Sequence, residues 1–101
     1  MVGKPDDKLA ILFQRFRPTI LARVDLVEAA AAALRDGTRN EASRQIAEEN
    51  AHKLAGSLGT FGLPRGTEVA SELEHLFQME DPPLARILEL IAELRTILQM
   101  P

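Results

Sequence analysis

Residues 52–63 decide the fold, and they read His-Lys-Leu-Ala-Gly-Ser-Leu-Gly-Thr-Phe-Gly-Leu. They continue a helical pattern whose apolar positions fall within an arc of about 80° when successive residues turn by about 100°. These positions are Ala47, Ala51, Leu54, Leu58 and Phe61. His52 points about 135° away from the centre of this stripe, so its imidazole is predicted to face solvent near the middle of the helix.

Two glycines follow His52 on its own side of the predicted helix. Gly56 lies one turn further along, and Gly59 lies two turns further along. Glycine in a helix interior costs roughly 1 kcal/mol relative to alanine. A chain that keeps glycines beside an exposed imidazole is predicted to need open space there, and open space indicates that another macromolecule docks on the ring.

Prolines, glycines and capping residues divide the chain into five predicted helices. The first covers residues 6–16 with Asp6 or Asp7 as its N-cap, and Pro18 separates it from the second, over 19–36. The third runs to about Phe61 and the last two follow it. The residues that mark the end of the second helix and the limits of the later ones are an Asp36-Gly37 stop, a Thr38/Glu41 capping box, a stop at Gly62, Pro64 in a first turn, and the pair Asp81-Pro82.

The apolar stripes of these helices predict one shared core. Besides the stripe around Leu54, they are Leu9, Leu12, Phe13 and Phe16; Ile20, Val24, Val27, Ala31 and Leu34; Val69, Leu73, Leu76 and Phe77; and Leu84, Ile87, Leu88, Ile91, Leu94 and Leu98. No segment alternates with period two, so strands are not expected. We predict an all-α fold, an antiparallel up-down-up-down four-helix bundle with a short extra N-terminal helix.

Length and composition narrow the possible functions. A chain of 101 residues fits one domain over 1–101, and the absence of cysteine excludes disulfides and thiolate chemistry. The net charge is −3 without a basic block, so nucleic-acid binding is not expected. The sequence holds no apolar run long enough for a membrane span and no secretory signal, so we expect a cytoplasmic protein that does not bind membranes.

The spacing around His52 resembles the histidine-phosphotransfer (HPt) domain family of two-component phosphorelays. The matching positions are His52, Leu54, Gly56, Gly62 and the pair Leu73-Glu74. The order and lengths of the predicted helices agree with the family along nearly the whole chain. The one clear departure is Ala55, where the family often has lysine.

The resemblance implies a phosphoryl carrier in which His52 shuttles a phosphoryl group between aspartates of response-regulator receiver domains. It implies that Glu74 accepts a hydrogen bond from Nδ1 of His52 and leaves Nε2 free to attack, and that the partner docks around Lys53, Ala55, Gly56 and Gly59. The partner that the resemblance implies is a response-regulator receiver domain, with a histidine kinase as the alternative. Since the receiver supplies Mg²⁺, no metal site or cofactor is expected in this chain, which should act as a monomer. It has no nucleotide-binding motif, so autokinase activity is not expected.

Two other readings remain open at this point. A helical adaptor or dimerisation module of the same shape, without phosphotransfer, would agree with Ala55. A di-iron carboxylate bundle would use the pairs Glu49-x-x-His52 and Glu72-x-x-His75, but both histidines point away from the apolar stripes. His75 lacks a glycine environment, and we expect an ordinary solvent-facing side chain there.

Overall fold

The computed structural model describes residues 5–99, with side chains from Lys8 onward. Over that range it contains four helices and no strand, which confirms the all-α prediction. The helices are α1 (Pro5–Asp36), α2 (Glu41–Thr60), α3 (Pro64–Phe77) and α4 (Leu84–Gln99). The packed pairs are α1 with α2, α2 with α3, α3 with α4 and α4 with α1, so the helices form a closed ring around one core.

The predicted core is largely confirmed. Its fully buried members include Ile20, Val24, Val27, Leu54, Leu58, Val69, Leu73, Ile87, Leu94 and Leu98. Three predicted members are wrong, because Leu12, Phe16 and Leu88 are 47%, 48% and 41% exposed. Leu12 and Phe16 lie in the N-terminal part of α1, which with 32 residues is much longer than the 20-residue α2. On α4 the core position belongs to Leu90, which is fully buried, because the stripe there follows Ile87, Leu90, Ile91 and Leu94.

The predicted break at Pro18 is wrong. Helix α1 runs through this proline without interruption, so the predicted extra helix over 6–16 is the first part of α1 rather than a separate element. Proline removes one intrahelical hydrogen bond, but tertiary contacts hold the part of the helix that precedes it. Phe13 packs edge-on against Phe61 with ring centroids 5.4 Å apart, and Arg17 Nε donates to the Leu98 carbonyl at 2.9 Å. The predicted N-cap at Asp6 or Asp7 is wrong, because α1 already begins at Pro5 and both residues lie within it.

Two glycines end helices as predicted. Gly37 has φ +70° and Gly62 has φ +73°, the left-handed region in which glycine carries no Cβ penalty. After α2, the Gly62 N–H donates to the Gly59 carbonyl at 3.1 Å and the Leu63 N–H donates to the Leu58 carbonyl at 2.9 Å. Pro64 then occupies the first turn of α3, which confirms the prediction for that residue.

The predicted N-caps of α2 and α4 are wrong. The N-cap of α2 is Asn40, whose side-chain oxygen accepts from the Ser43 N–H at 2.8 Å. α2 begins at Glu41, so Thr38 lies two residues before the N-cap, and its N–H donates to the Ala33 carbonyl at 2.9 Å at the end of α1. α4 begins after the second proline of its loop, and the Ile87 N–H donates to the Pro83 carbonyl at 3.0 Å.

Polar contacts join each helix to its neighbours in a regular order. Between α2 and α3, and between α3 and α4, the residue number of the partner falls as the residue number rises. The contacts between neighbouring helices include Arg23–Ser57, Glu48–Gln78, His52–Glu74, Arg65–Glu93, Glu72–Arg86 and Asp25–Arg95. None of the described helices is both long enough and apolar enough to cross a membrane.

Candidate functional site

The imidazole of His52 lies on the outer surface of the bundle, near the middle of α2. Its side chain is 75% exposed, as predicted. Nδ1 lies 3.1 Å and 3.2 Å from the two carboxylate oxygens of Glu74 on α3. An ionised carboxylate only accepts hydrogen bonds, so Nδ1 carries the proton in this contact and the neutral ring has its lone pair on Nε2.

Glu74 is the less exposed partner of this pair, with 22% of its side chain accessible. Glu74 follows the buried Leu73 by one residue on α3, and its carboxylate reaches across to α2 at the edge of the core. Because the carboxylate comes from a neighbouring helix, its position relative to the ring depends on how α2 and α3 pack.

Four polar contacts connect α2 with α3 or with its C-cap residue Gln78, and we call three of them the α2–α3 ladder. Gln78 Nε2 donates to Glu48 at 2.9 Å, the ring of His52 contacts Glu74, and Thr67 Oγ1 donates to the Ala55 carbonyl at 2.9 Å. The His52–Glu74 contact is the middle one, with one polar contact between the same two elements on each side of it.

Arg44 extends the ladder towards the N-terminus of α2. Its guanidinium donates to Glu48 at 2.7 Å, contacts Glu41, and reaches the carbonyl of Phe77 at 3.4 Å. The hydrogen bond from Gln78, followed by that from Arg44, lowers the pKa of the Glu48 carboxyl below its ordinary value. Arg44 and Glu48 were not predicted from the sequence. Arg44, Glu48 and His52 follow one another at intervals of four residues, and this spacing could have placed all three on one side of α2.

The glycines after His52 have different surroundings. A Cβ added at Gly56 would meet no atom within 4 Å, which confirms open space one turn from the ring. A Cβ added at Gly59 would lie 3.2 Å from Thr67 Oγ1, so this glycine allows close packing against α3. Gly59, which was predicted as a docking residue, therefore also lies at a close contact between α2 and α3.

The predicted docking residues Lys53 and Ala55 lie on either side of this site. Lys53 is half-exposed, and its Nζ is 3.7 Å from Glu49 Oε1. Ala55 is partly buried against the core and brings no charge to the position where the family often has lysine. An open groove runs beside the ring and is lined by Arg44, Gln45, Glu48, Glu49, His52, Lys53 and Glu74.

The two Glu-x-x-His pairs do not converge. Glu49 faces Lys53, and Glu72 accepts two hydrogen bonds from Arg86 at 2.7 Å and 3.0 Å. The bond from Arg86 lowers the pKa of the Glu72 carboxyl. Among the described residues, no group of three or more His, Asp or Glu side chains is placed to hold a metal ion.

Comparison with models of protein families identifies the family of this chain. A model of the Hpt domain family matches residues 12–100, nearly the whole chain. No curated protein and no solved structure matches the sequence.

Proposed function

The chain belongs to the Hpt domain family, whose members transfer phosphoryl groups in two-component signalling, and we propose that His52 is its phosphoacceptor. The observation that carries the proposal is the contact of Nδ1 with Glu74 at 3.1 Å on a ring that is 75% exposed. A ring held through one nitrogen and open at the other suits a group that must meet a second protein.

In the proposed step, the Nε2 lone pair of the neutral imidazole attacks the phosphorus of an aspartyl phosphate on a receiver domain. The N–P bond forms while the bond between phosphorus and the aspartyl oxygen breaks, and the bonding electrons leave with the aspartate carboxylate. The ring gains a positive charge and keeps its proton on Nδ1. The reverse step returns the phosphoryl group to an aspartate.

Glu74 has two roles in this proposal. Its hydrogen bond fixes the tautomer with the free lone pair on Nε2, as orienting partners do for metal-bound histidines. Its negative charge also stabilises the positive charge that the ring gains during transfer. Both roles need the carboxylate within hydrogen-bond distance of Nδ1.

The partner is proposed to dock over the groove at Lys53 and the open space at Gly56, with Ala55 at the edge of the contact. Gly56 supports this because no side chain stands beside the ring at that position. The receiver supplies Mg²⁺ and the groups that stabilise the transferred phosphoryl. This chain presents the ring, and it needs no cofactor of its own for that task.

We also propose that the whole chain forms one domain, works as a monomer, and has an antiparallel up-down-up-down helix order. Between α2 and α3, α3 and α4, and α1 and α4, the residue numbers of the contact partners run in opposite directions, which supports this order. The short loops, such as residues 37–40 and 61–63, support it as well.

The direct test is transfer from a receiver domain. The purified chain is incubated with receiver domains that carry radioactive aspartyl phosphate, and the label on the chain is characterised. We expect a label that is stable in base and labile in acid, as a phosphoramidate is. A chain that receives no label from a panel of active receivers would overturn phosphotransfer and favour an adaptor.

A further inference from the structure

We infer that Thr67 is a positioning residue for His52, and that Gly59 is a glycine so that Thr67 can reach its acceptor. The inference rests on the proposed function of His52 and adds the contact that brings Glu74 to the ring. It assigns Gly59 to the packing of α2 against α3 rather than to partner docking.

The Thr67 hydroxyl makes an unusual contact for a threonine of this chain. It donates to the Ala55 carbonyl on the neighbouring helix at 2.9 Å. The hydroxyls of Thr60 and Thr96 instead donate to carbonyls four residues earlier in their own helices, at 3.0 Å and 3.1 Å. The Thr67 contact is therefore the one of these three that fixes one helix against another.

Two glycines make this approach possible. Gly59 presents no side chain to Thr67, and its added Cβ would lie 3.2 Å from the hydroxyl oxygen. Gly66 is buried on α3, and its added Cβ would lie 3.0 Å from Leu58 Cδ1. Each helix thus has a glycine where the other comes close, and the hydroxyl of Thr67 bridges the narrow gap.

The contact acts on the site through the register of the two helices. Thr67 and Glu74 are seven residues apart on α3, which is close to two turns and about 10 Å along the axis, so both face α2. Their partners Ala55 and His52 lie three residues apart on α2. Because both helices are rigid over two turns, a slide or separation at Thr67 moves the Glu74 carboxylate away from Nδ1.

A double-mutant cycle tests the inference, with Gly59→Ala, Thr67→Ala and the two combined. The readouts are the ¹⁵N shifts of the His52 ring, which report the tautomer, and kcat and KM for transfer from a phosphorylated receiver. Thr67→Ala should shift the ring towards a mixture of tautomers and lower kcat by about threefold or more, the size expected for coupled contacts. Thr67→Ser should restore both readouts, and Thr96→Ala serves as the control for loss of a threonine hydroxyl.

Gly59→Ala should act in the same direction as Thr67→Ala when Thr67 is present. In the Thr67→Ala background it should have no further effect on the tautomer or on kcat, because the added methyl group then meets no hydroxyl. If Gly59→Ala slows transfer equally in both backgrounds, Gly59 serves docking and the inference is wrong. It is also wrong if Thr67→Ala leaves the His52 shifts as Thr96→Ala does. The NMR arm needs no receiver, so it decides on Thr67 even if no receiver labels the chain.

Discussion

The two histidines of this chain differ less in their exposure than in what holds them. Both are exposed on helix surfaces, and both have Nδ1 next to an oxygen. For His52 that oxygen belongs to Glu74 on another helix, at 3.1 Å. For His75 it is the Ser71 carbonyl of its own helix, at 2.8 Å. A free Nε2 is therefore common to both, and the tautomer alone does not distinguish a phosphoacceptor.

The surroundings of the two rings separate them. His52 has a full negative charge beside Nδ1 and open space at Gly56. His75 has only a neutral carbonyl, and the nearby Glu72 is bound to Arg86 at 2.7 Å. A single helix can by itself orient a histidine ring through Nδ1, as at His75. What is particular to the proposed site is the carboxylate from a second helix and the open space for docking.

The largest difference should appear when the ring of His52 and the ring of His75 are removed in separate variants. We expect His52→Gln to abolish the transferred label and His75→Gln to leave it unchanged, because the second ring lacks the carboxylate and the docking space. Transfer from a labelled receiver measures this, and the helical circular dichroism of both variants should match that of the wild type. Label on His75 would remove the distinction between the two histidines.

A charge placed four residues after each histidine should give the next largest effect. Gly56→Glu puts a carboxylate where the acidic active site of a receiver must approach, and like charges brought together at an interface are strongly unfavourable. We expect transfer to slow by about tenfold or more. The matched variant is Met79→Glu, four residues after His75 at a side chain that is 48% exposed. If both variants slow transfer equally, the open space at Gly56 has no special role.

Removal of the Glu74 carboxylate should have a smaller effect and should make His52 more like His75. Orienting partners of histidine are worth about tenfold or more in metal sites, and we expect Glu74→Ala to slow transfer by about three- to tenfold. Glu74→Gln should keep part of the rate, since the amide oxygen still accepts the bond but carries no charge. The ¹⁵N shifts of the ring should change in Glu74→Ala. Unchanged shifts would mean that packing alone orients the ring.

The smallest effect concerns the ion pair beside His75. The Arg86 hydrogen bond lowers the pKa of Glu72 below its ordinary value of 4.5. A carboxyl whose pKa is lower in the folded state stabilises the fold above its unfolded pKa, and this contribution is lost as the pH falls. Arg86→Gln should thus slightly lower the melting temperature at pH 7, and the difference should shrink below pH 4.5. Transfer through His52 should not change, and a loss of transfer would link the two regions.

The sequence was sufficient for most of the core because long helices with clear apolar stripes leave little choice of buried face. It was misleading at Pro18, where proline normally ends a helix. There, the contact of Phe13 with Phe61 and the bond from Arg17 to the Leu98 carbonyl come from residues far apart in the chain. Local propensity contains no information about such contacts.

The candidate site, like the fold, could be predicted where it depends on one helix and not where it depends on contacts between helices. The spacing from His52 to Gly56 lies within one helix, so angular arithmetic placed the open space correctly. Glu74 came from the family resemblance, since no local rule links residues on two helices. Thr67 and its bond to the Ala55 carbonyl could not be predicted, because a backbone acceptor leaves no trace in the identity of the residue that provides it.

If His52 carries a phosphoryl group, the exposure of its ring also affects how long that group can remain there. With three quarters of its side chain open to solvent, a phosphoryl group on Nε2 would be in contact with bulk water for as long as it remained there. Hydrolysis and delivery would then compete, and the delivered fraction would rise with the concentration of the acceptor and fall with the waiting time. Such a carrier would hold its phosphoryl group only for a limited time. The concentration of acceptor, rather than the carrier itself, would then decide whether the phosphoryl group is delivered.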